Sequence, residues 1–428
     1  MAEVLIGKSL KLRGEVHAPP SKSYTHRTLI AALLSNGTSK IFHPLVSDDT
    51  QATLSAVKAF GADVELHNDL WVIHGSSSVK PSDRPVHCGE SGSTLRFMIP
   101  VAALAPNPSI FILGSSLARR PVAPLITSLD QLGAKSSLNL DGDPPSVKVI
   151  GGGIRGGKTA IRGDVSSQFI SGLLFACPKA KEDTEIQVTT PLESKNYVQM
   201  TLEVIGKHGI TVSTPQDLTR LEIPPNQKYD PIDHEVPGDF SSAAFLLAAA
   251  AITSSKIKVR GLNPQSTQGD RAILNILSDM GSEVNLGRRE VTVKGGSLQA
   301  LDLDASDIPD LVPICAVLAC YSEGVSKIYN AERLRYKESD RLRSLHLELQ
   351  KMGADINLKK NSLIIQGPCN LKGAVIDPHN DHRIAMACAV AALGAKGQTK
   401  ILNSGCVRKS YPTFFNDLYT LGADIIDR

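Results

Sequence analysis

A glycine that ends an apolar helical pattern and leads into a strand recurs six times along the chain, at Gly61, Gly133, Gly209, Gly281, Gly353 and Gly422. The spacings are 72, 76, 72, 72 and 69 residues. Leu349-Gln350-Lys351-Met352-Gly353-Ala354-Asp355-Ile356 shows the phrase in full. Glycine at that point is a helix C-terminal stop. A polar turn and a second alternating strand follow most copies, as in Val284 to Leu286, Gly287-Arg288-Arg289 and Glu290 to Lys294.

A second phrase interleaves with the first: a polar start, a strongly apolar helix, a turn and a β-rich strand such as Thr184 to Val188. Its helices begin near Arg27, Arg96, Gln168, Ser242, Asp310 and Arg383, at spacings of 69, 72, 74, 68 and 73. Each unit therefore reads strand, apolar helix, strand, amphipathic helix, strand, strand. The period exceeds the roughly 20–50 residues of a solenoid. At 428 residues the chain is also too long for one ordinary core. The expected fold is α/β (α+β), with two compact domains of three units and a break in the Pro-rich stretch from Pro224-Pro225 to Pro237-Gly238.

The apolar helices, such as Phe245 to Ile252, are hydrophobic all round and should be buried. A buried helix leaves its first N–H groups without intrahelical partners, so six such N-termini facing one opening would attract anions. The entrances carry Lys22-Ser23 with Arg27, Ser91-Gly92-Ser93 with Arg96, Ser166-Ser167-Gln168, Asp239 with Ser241-Ser242, Asp310, and His382-Arg383. The stretch Pro19-Pro20-Ser21-Lys22-Ser23 reads as an anion site or as a Ser-capped helix with solvated basic residues. Asp310 reads as an ionised general base or as a plain N-cap. Gly92 permits close backbone approach to a ligand, or serves a tight turn. Helical spacing puts Lys337 and Arg341 on one side of a helix start with Glu338 beside them, either as a site or as a solvated face.

Several classes drop out. The 46 Lys+Arg against 43 Asp+Glu leave only +3, and aromatic residues are 4%, which argues against nucleic-acid binding. Seven cysteines with no Cys-x-x-Cys pair argue against a disulfide framework or zinc cage and fit a reducing cytosol; Cys177, Cys315, Cys320 and Cys388 read as core. No Walker phrase occurs, and Gly151-Gly152-Gly153 lacks dinucleotide-loop spacing. His379 and His382 lack a third clustered ligand, so hydrogen bonding is the expected role. A strand-like segment from Val4 to Val16 stands where a leader would, and no apolar run is long enough to span a membrane. The expected location is cytoplasmic.

Pro20-Ser21-Lys22-Ser23 with Arg27, Ser91-Gly92-Ser93 with Arg96, Arg120-Pro121, Val165-Ser166-Ser167-Gln168-Phe169, Lys337-Glu338-Ser339-Asp340-Arg341 and Asn380-Asp381-His382-Arg383 together resemble the 5-enolpyruvylshikimate-3-phosphate synthase family, in order and over essentially the whole chain. The resemblance implies transfer of the enolpyruvyl group of phosphoenolpyruvate to the 5-hydroxyl of shikimate 3-phosphate, with release of phosphate. It implies no metal, no organic cofactor, no nucleic acid and no membrane, a monomer, and glyphosate as an inhibitor of sensitive members. It also implies two domains, each with three βαβαββ units around buried parallel helices. These are residues 1–19 plus 238–428, and 20–237, with hinges at 19–22 and 236–240, closing on the substrates.

By the same resemblance, Ser23, Arg27, Ser166, Ser167 and Ser194 contact shikimate 3-phosphate with Tyr197 nearby, and Lys22 and Gln168 touch both substrates. Gly92, Arg120, Arg341, Arg383 and Lys409 form the phosphoenolpyruvate clamp beside His382. Asp310 and Lys337 meet the shikimate hydroxyl, Asp310 as proton acceptor, and Glu338 protonates the enol methylene. Three departures stand out. Ser93 replaces the usual threonine. Glu90 brings a carboxylate where many members carry Asn. Arg333 occupies the place of an Asn that contacts shikimate in some relatives. The sister transferase acting on a UDP-sugar is expected to carry a loop Cys, whereas this loop reads Leu117-Ala118-Arg119-Arg120.

Overall fold

The computed structural model describes residues 2–9, 11–76 and 78–427. All six repeated glycines have positive φ, from 82° at Gly209 to 103° at Gly61. That left-handed conformation strains any residue with a Cβ, which explains the regular recurrence of glycine.

The described residues divide into two compact units, 1–19 with 237–428, and 20–236. Pro237 falls in the first of these rather than at the end of the inserted segment. Strand pairing explains why the N-terminal residues join the C-terminal half. Val4–Ile6 lies between Thr399–Ile401 and Ile425–Asp427, and Arg13–His17 pairs in parallel with Lys256–Arg260. What the sequence suggests as one strand-like segment is thus two strands. The inserted unit ends on His234–Glu235, which pairs in parallel with Gly37–Phe42.

Among the described residues, five of the six sheets have four strands. In the sheet Leu303–Asp304, Gly324–Tyr329, Leu363–Gly367 and Asp355–Leu358, the first pair is parallel and the others antiparallel, as a βαβαββ unit requires. The third unit departs from the expectation: its sheet holds only Gly157–Ile161, Thr184–Val188 and Arg220–Ile223. The missing strand is reduced to a bridge between Ser213 and Glu222. Pro215 has no N–H to extend that pairing, and the Gln227 side chain takes the Thr211 N–H at 2.8 Å.

The apolar helices are α1 (Lys22–Leu34), α2 (Gly92–Ala103), α3 (Ser167–Ala176), α4 (Phe240–Ile252), α5 (Val312–Tyr321) and α6 (His382–Gly394). The first two begin four to five residues before Arg27 and Arg96. Ser21 and Ser91 cap them, accepting from Tyr24 N at 3.5 Å and Thr94 N at 3.2 Å. Arg27 and Arg96 therefore lie inside the helices. Each unit has its own apolar core, and these helices run through it; α4 is buried from Phe240 to Ala251. Their small residues permit close approach: a Cβ at Gly172 of α3 would stand 2.2 Å from the Arg96 carbonyl oxygen of α2.

Candidate functional site

In the unit 20–236, α1 and α2 carry cations near their entrances whose partners are mostly neutral, and α3 opens on Ser166, Ser167 and Gln168. Arg27 is buried, and its guanidinium donates to Thr201 Oγ1 at 2.8 Å, the Ser23 carbonyl at 2.9 Å and the Tyr197 carbonyl at 2.8 Å. It also lies over the Phe97 and Tyr197 rings, 5.1 and 5.8 Å from their centroids. Burial lowers its pKa to about 10, so it stays charged at neutral pH. His26 beside it is held well below its ordinary value by burial, then by Lys22 and Arg27. That ring donates to or accepts from Thr53 Oγ1 at 2.7 Å. Lys22 pairs with Asp49 at 2.8 Å. A positive field concentrated in a dry setting is one that an incoming anion completes.

The α2 entrance is joined to α3 by Gln168, whose Oε1 accepts from Arg96 at 2.7 Å and whose Nε2 donates to Ser93 Oγ at 3.0 Å. A Cβ at Gly92 would lie 3.3 Å from Arg120 Nη1 and 3.5 Å from both Arg96 Nη1 and Gln168 Oε1. The empty side of this glycine thus faces two guanidinium groups. Glu90 accepts from the Leu117 N–H at 2.8 Å, the Ser116 N–H at 3.3 Å and the Ser116 hydroxyl. Ser116 Oγ in turn accepts from Arg120 at 3.2 Å. Its carboxylate is therefore engaged in fixing the loop that carries Arg120. Ser166 caps α3, accepting from Gln168 N at 3.3 Å, and Ser167 opens the helix. Ser194 adopts a left-handed conformation, φ 55°, at the start of Lys195–Lys207, which brings Tyr197 under Arg27.

In the other unit, Arg383 links the entrances of α4, α5 and α6. Its Nη1 donates to the Ser241 carbonyl at 3.4 Å and the Asp310 carbonyl at 3.3 Å, while Nη2 reaches Asp310 Oδ2 at 3.2 Å. Asp310 is not an N-cap: Leu311 holds that position, and the Asp310 carboxylate meets Arg341 at 2.8 Å and Lys337 at 3.9 Å. Burial pushes the Asp310 carboxyl up, but Arg383, Lys337 and Arg341 outweigh it and hold the group well below the carboxylate range. Arg341, almost fully buried, also reaches Glu338 at 2.5 Å and Asp381 at 2.8 Å. Asp381 caps α6 through Arg383 N at 3.0 Å and accepts from Ser339 at 3.1 Å. Lys409 Nζ donates to the Asn380 carbonyl at 2.6 Å, and His382 is buried at the α6 start.

Lys337 and Arg341 do not share a helix. Lys337 is extended after the short helix Glu332–Tyr336, and Arg341 opens Arg341–Lys351. Asp340 intervenes as N-cap, accepting from Arg343 N at 3.1 Å, which interrupts the helical spacing. Both cations still face Asp310, from opposite sides of that cap. Burial lowers Lys337 to about 8, with Arg333 and Arg341 adding to the fall and Asp310 opposing it. Arg333 is buried and donates to the Ser306 carbonyl, so its guanidinium is directed at the backbone.

Sequence reasoning missed Asp49 and Asp270. Asp270 is buried, accepts from the Ser241 hydroxyl and is raised to about 7 by burial and then by the charge of Asp310. Nothing in local spacing marks it, because the Ser241 hydroxyl at the α4 start that it engages is 29 residues away in sequence. His379 pairs with Glu348 at 2.9 Å, away from His382. Among the described residues no group of three or more His, Cys, Asp or Glu is placed to hold a metal.

Buried helix entrances that carry guanidinium groups, with the carboxylates of Asp310, Glu338 and Asp381 set among them in one unit, are the equipment of an anion-binding protein. The comparisons narrow that class. The family profile EPSP synthase (3-phosphoshikimate 1-carboxyvinyltransferase) matches residues 6–418. A 3-phosphoshikimate 1-carboxyvinyltransferase of Methanocaldococcus jannaschii is 42% identical over 427 residues, covering 99% of each chain. One of Methanocella arvoryzae is 46% identical over 415 residues, 96% of this chain and 97% of the relative. The solved EPSP synthase of Acinetobacter baumannii aligns over 100% of both chains with a TM-score of 0.82 at 25% identity. The chain belongs to the EPSP synthase family.

Proposed function

We propose that the protein transfers the enolpyruvyl group of phosphoenolpyruvate to the 5-hydroxyl of shikimate 3-phosphate by addition and elimination through a tetrahedral phosphoketal, in the path to chorismate and the aromatic amino acids. Family membership over nearly the whole chain carries this reading. The reaction needs a proton delivered to carbon, a proton taken from the hydroxyl and extensive charge neutralisation. Side chains supply all three. Ser23, Arg27, Ser166, Ser167, Gln168, Ser194 and Tyr197 hold shikimate 3-phosphate, with Lys22 released from Asp49 toward the substrates. Gly92, Arg120, Arg341, Arg383 and Lys409 hold phosphoenolpyruvate, with His382 supporting. Asp310 takes the hydroxyl proton while Lys337 orients that hydroxyl. Glu338 protonates the methylene. The protein works on free small molecules as a cytoplasmic monomer.

The test is direct: incubation with both substrates, followed by phosphorus NMR, is expected to show inorganic phosphate and the enol ether appearing together. Phosphate release without shikimate 3-phosphate, or none with it, counts against the reading.

Two further results are expected. Because Lys337 is charged only below about pH 8, kcat/KM falls above that pH, and Lys337→Arg moves the alkaline limb upward. A limb at the same pH in the variant would assign the titration elsewhere. Gly92→Ala keeps the fold, since alanine suits a helix and the one tight contact of its Cβ, 3.3 Å to Arg120 Nη1, is with the far end of a flexible side chain that can give by a few tenths of an ångström. The methyl group nevertheless occupies the space in front of Arg120 and Arg96, so KM for phosphoenolpyruvate rises by about tenfold, some 1.4 kcal/mol, and glyphosate inhibits less. An unchanged KM with full helical content would show that no ligand approaches this glycine.

A further inference from the structure

Cys320 and Cys369 lie outside the clusters described above, and their surroundings differ from those of the other cysteines. Cys320 is buried near the C-terminal end of α5, whereas Cys369 is half-buried just after the strand Leu363–Gly367. The Cys369 N–H donates to the Cys320 carbonyl at 2.7 Å. Bond lengths then keep their Cα atoms within about 6.6 Å of each other, inside the roughly 4.4–6.8 Å of disulfides. The approach is built into the fold. A Cβ at Gly367 would stand 2.3 Å from the Ser322 carbonyl oxygen, so only glycine lets the strand end reach the helix end.

The closeness of the pair acts on both thiols: interaction with Cys369 and burial raise Cys320, and interaction with Cys320 lowers Cys369 to about 6. The Asp355 N–H supports the Cys369 sulfur at 3.5 Å, while the Gln366 carbonyl at 3.2 Å accepts from its protonated form. The remaining cysteines, Cys88, Cys177, Cys315, Cys388 and Cys406, are buried, with thiols pushed up by burial. Only the half-buried member of the close pair combines access with thiolate character.

We propose that Cys369 and Cys320 form a reversible disulfide when the protein meets a hydroperoxide, Cys369 acting as the attacking thiolate and Cys320 as the resolving thiol. The Cys369 thiolate attacks one peroxide oxygen; the O–O bond breaks, Cys369 becomes a sulfenic acid, and the departing hydroxide takes a proton from solvent and leaves as water, or as an alcohol from an alkyl hydroperoxide. The Cys320 sulfur then attacks the sulfenic sulfur, the S–O bond breaks, and the Cys320 proton departs with hydroxide as water. Two thiols are oxidised and one peroxide is reduced. The new bond ties the end of α5 to its own sheet.

Hydrogen peroxide is added to the reduced full-length protein under native conditions, followed by thiol titration and non-reducing peptide mass spectrometry. The titre is expected to fall by two of the seven thiols, with the 320 and 369 peptides linked, and dithiothreitol restores both. Cys369→Ser abolishes the loss, and Cys320→Ala leaves a Cys369 sulfenic acid that dimedone traps. The proposal is overturned if wild-type Cys369 accumulates as sulfenic acid beside a free Cys320, if the link joins two molecules, or if Cys369→Ser loses thiols as fast as wild type.

Discussion

Asp310→Asn is expected to reduce kcat by about 10²–10⁴-fold, the range a positioned acid or base supplies, without weakening either substrate. Asparagine keeps the shape of the side chain and one oxygen for Arg341 or Arg383, which now lie 2.8 and 3.2 Å from the carboxylate. It cannot take a proton. It also removes a negative charge that partly neutralises both arginines, so KM for the anionic phosphoenolpyruvate should stay level or fall. Steady-state kinetics with folding checked by circular dichroism decides the matter. A higher KM with kcat intact would make Asp310 a structural counterion instead.

Arg341→Met is expected to destabilise the unit containing residues 237–428 by about 3–5 kcal/mol, because one buried guanidinium serves three carboxylates. Asp310, Glu338 and Asp381 all lie within 2.8 Å of it, and Asp381 is fully buried. Without Arg341, Asp381 keeps the Arg383 N–H and the Ser339 hydroxyl but loses the guanidinium that pairs with its carboxylate at 2.8 Å. For a unit of this size the cost corresponds to a fall on the order of 10 °C in thermal midpoint. Arg341→Lys should recover little of it, since one ammonium group cannot span the three positions that the fork reaches. A midpoint within about 2 °C of wild type would mean that the carboxylates relax toward water or protonate cheaply.

The repeat was legible because its signals are local. A left-handed stop at each of six glycines and an all-apolar helix between polar entrances can be read from neighbours in sequence. Losses occurred where long-range pairing decides. Nothing near Thr211 to Pro215 announces that Gln227 will take a strand N–H. Local charge spacing also misplaced Lys337 and Arg341 on one helix, because Asp340 looks like one more charge in a run until its side chain is seen capping Arg343.

The candidate site shows the same division. Motif phrases carried Lys22, Gly92, Gln168, Asp310, Arg341 and Arg383, since each sits at or beside a helix entrance. Asp49 and Asp270 were invisible because they act from other segments, pairing with Lys22 and Ser241 across 27 and 29 residues. From the sequence, Glu90 is a carboxylate where many family members carry Asn, with nothing to mark its link to the loop that carries Arg120. Its partners, the Ser116 and Leu117 N–H groups, make it an anchor of that loop, which only coordinates could reveal.

The central claim is that Glu338 protonates the phosphoenolpyruvate methylene while Asp310 takes the hydroxyl proton, so that the methylene carbon is transiently a methyl group. Single turnover in D₂O with enzyme in excess, read by proton NMR or mass spectrometry of the enol ether, measures this directly. Addition and elimination predict deuterium in the product methylene, and its disappearance together with turnover in Glu338→Gln. Product formed at full rate in D₂O with no deuterium at that carbon would contradict the account.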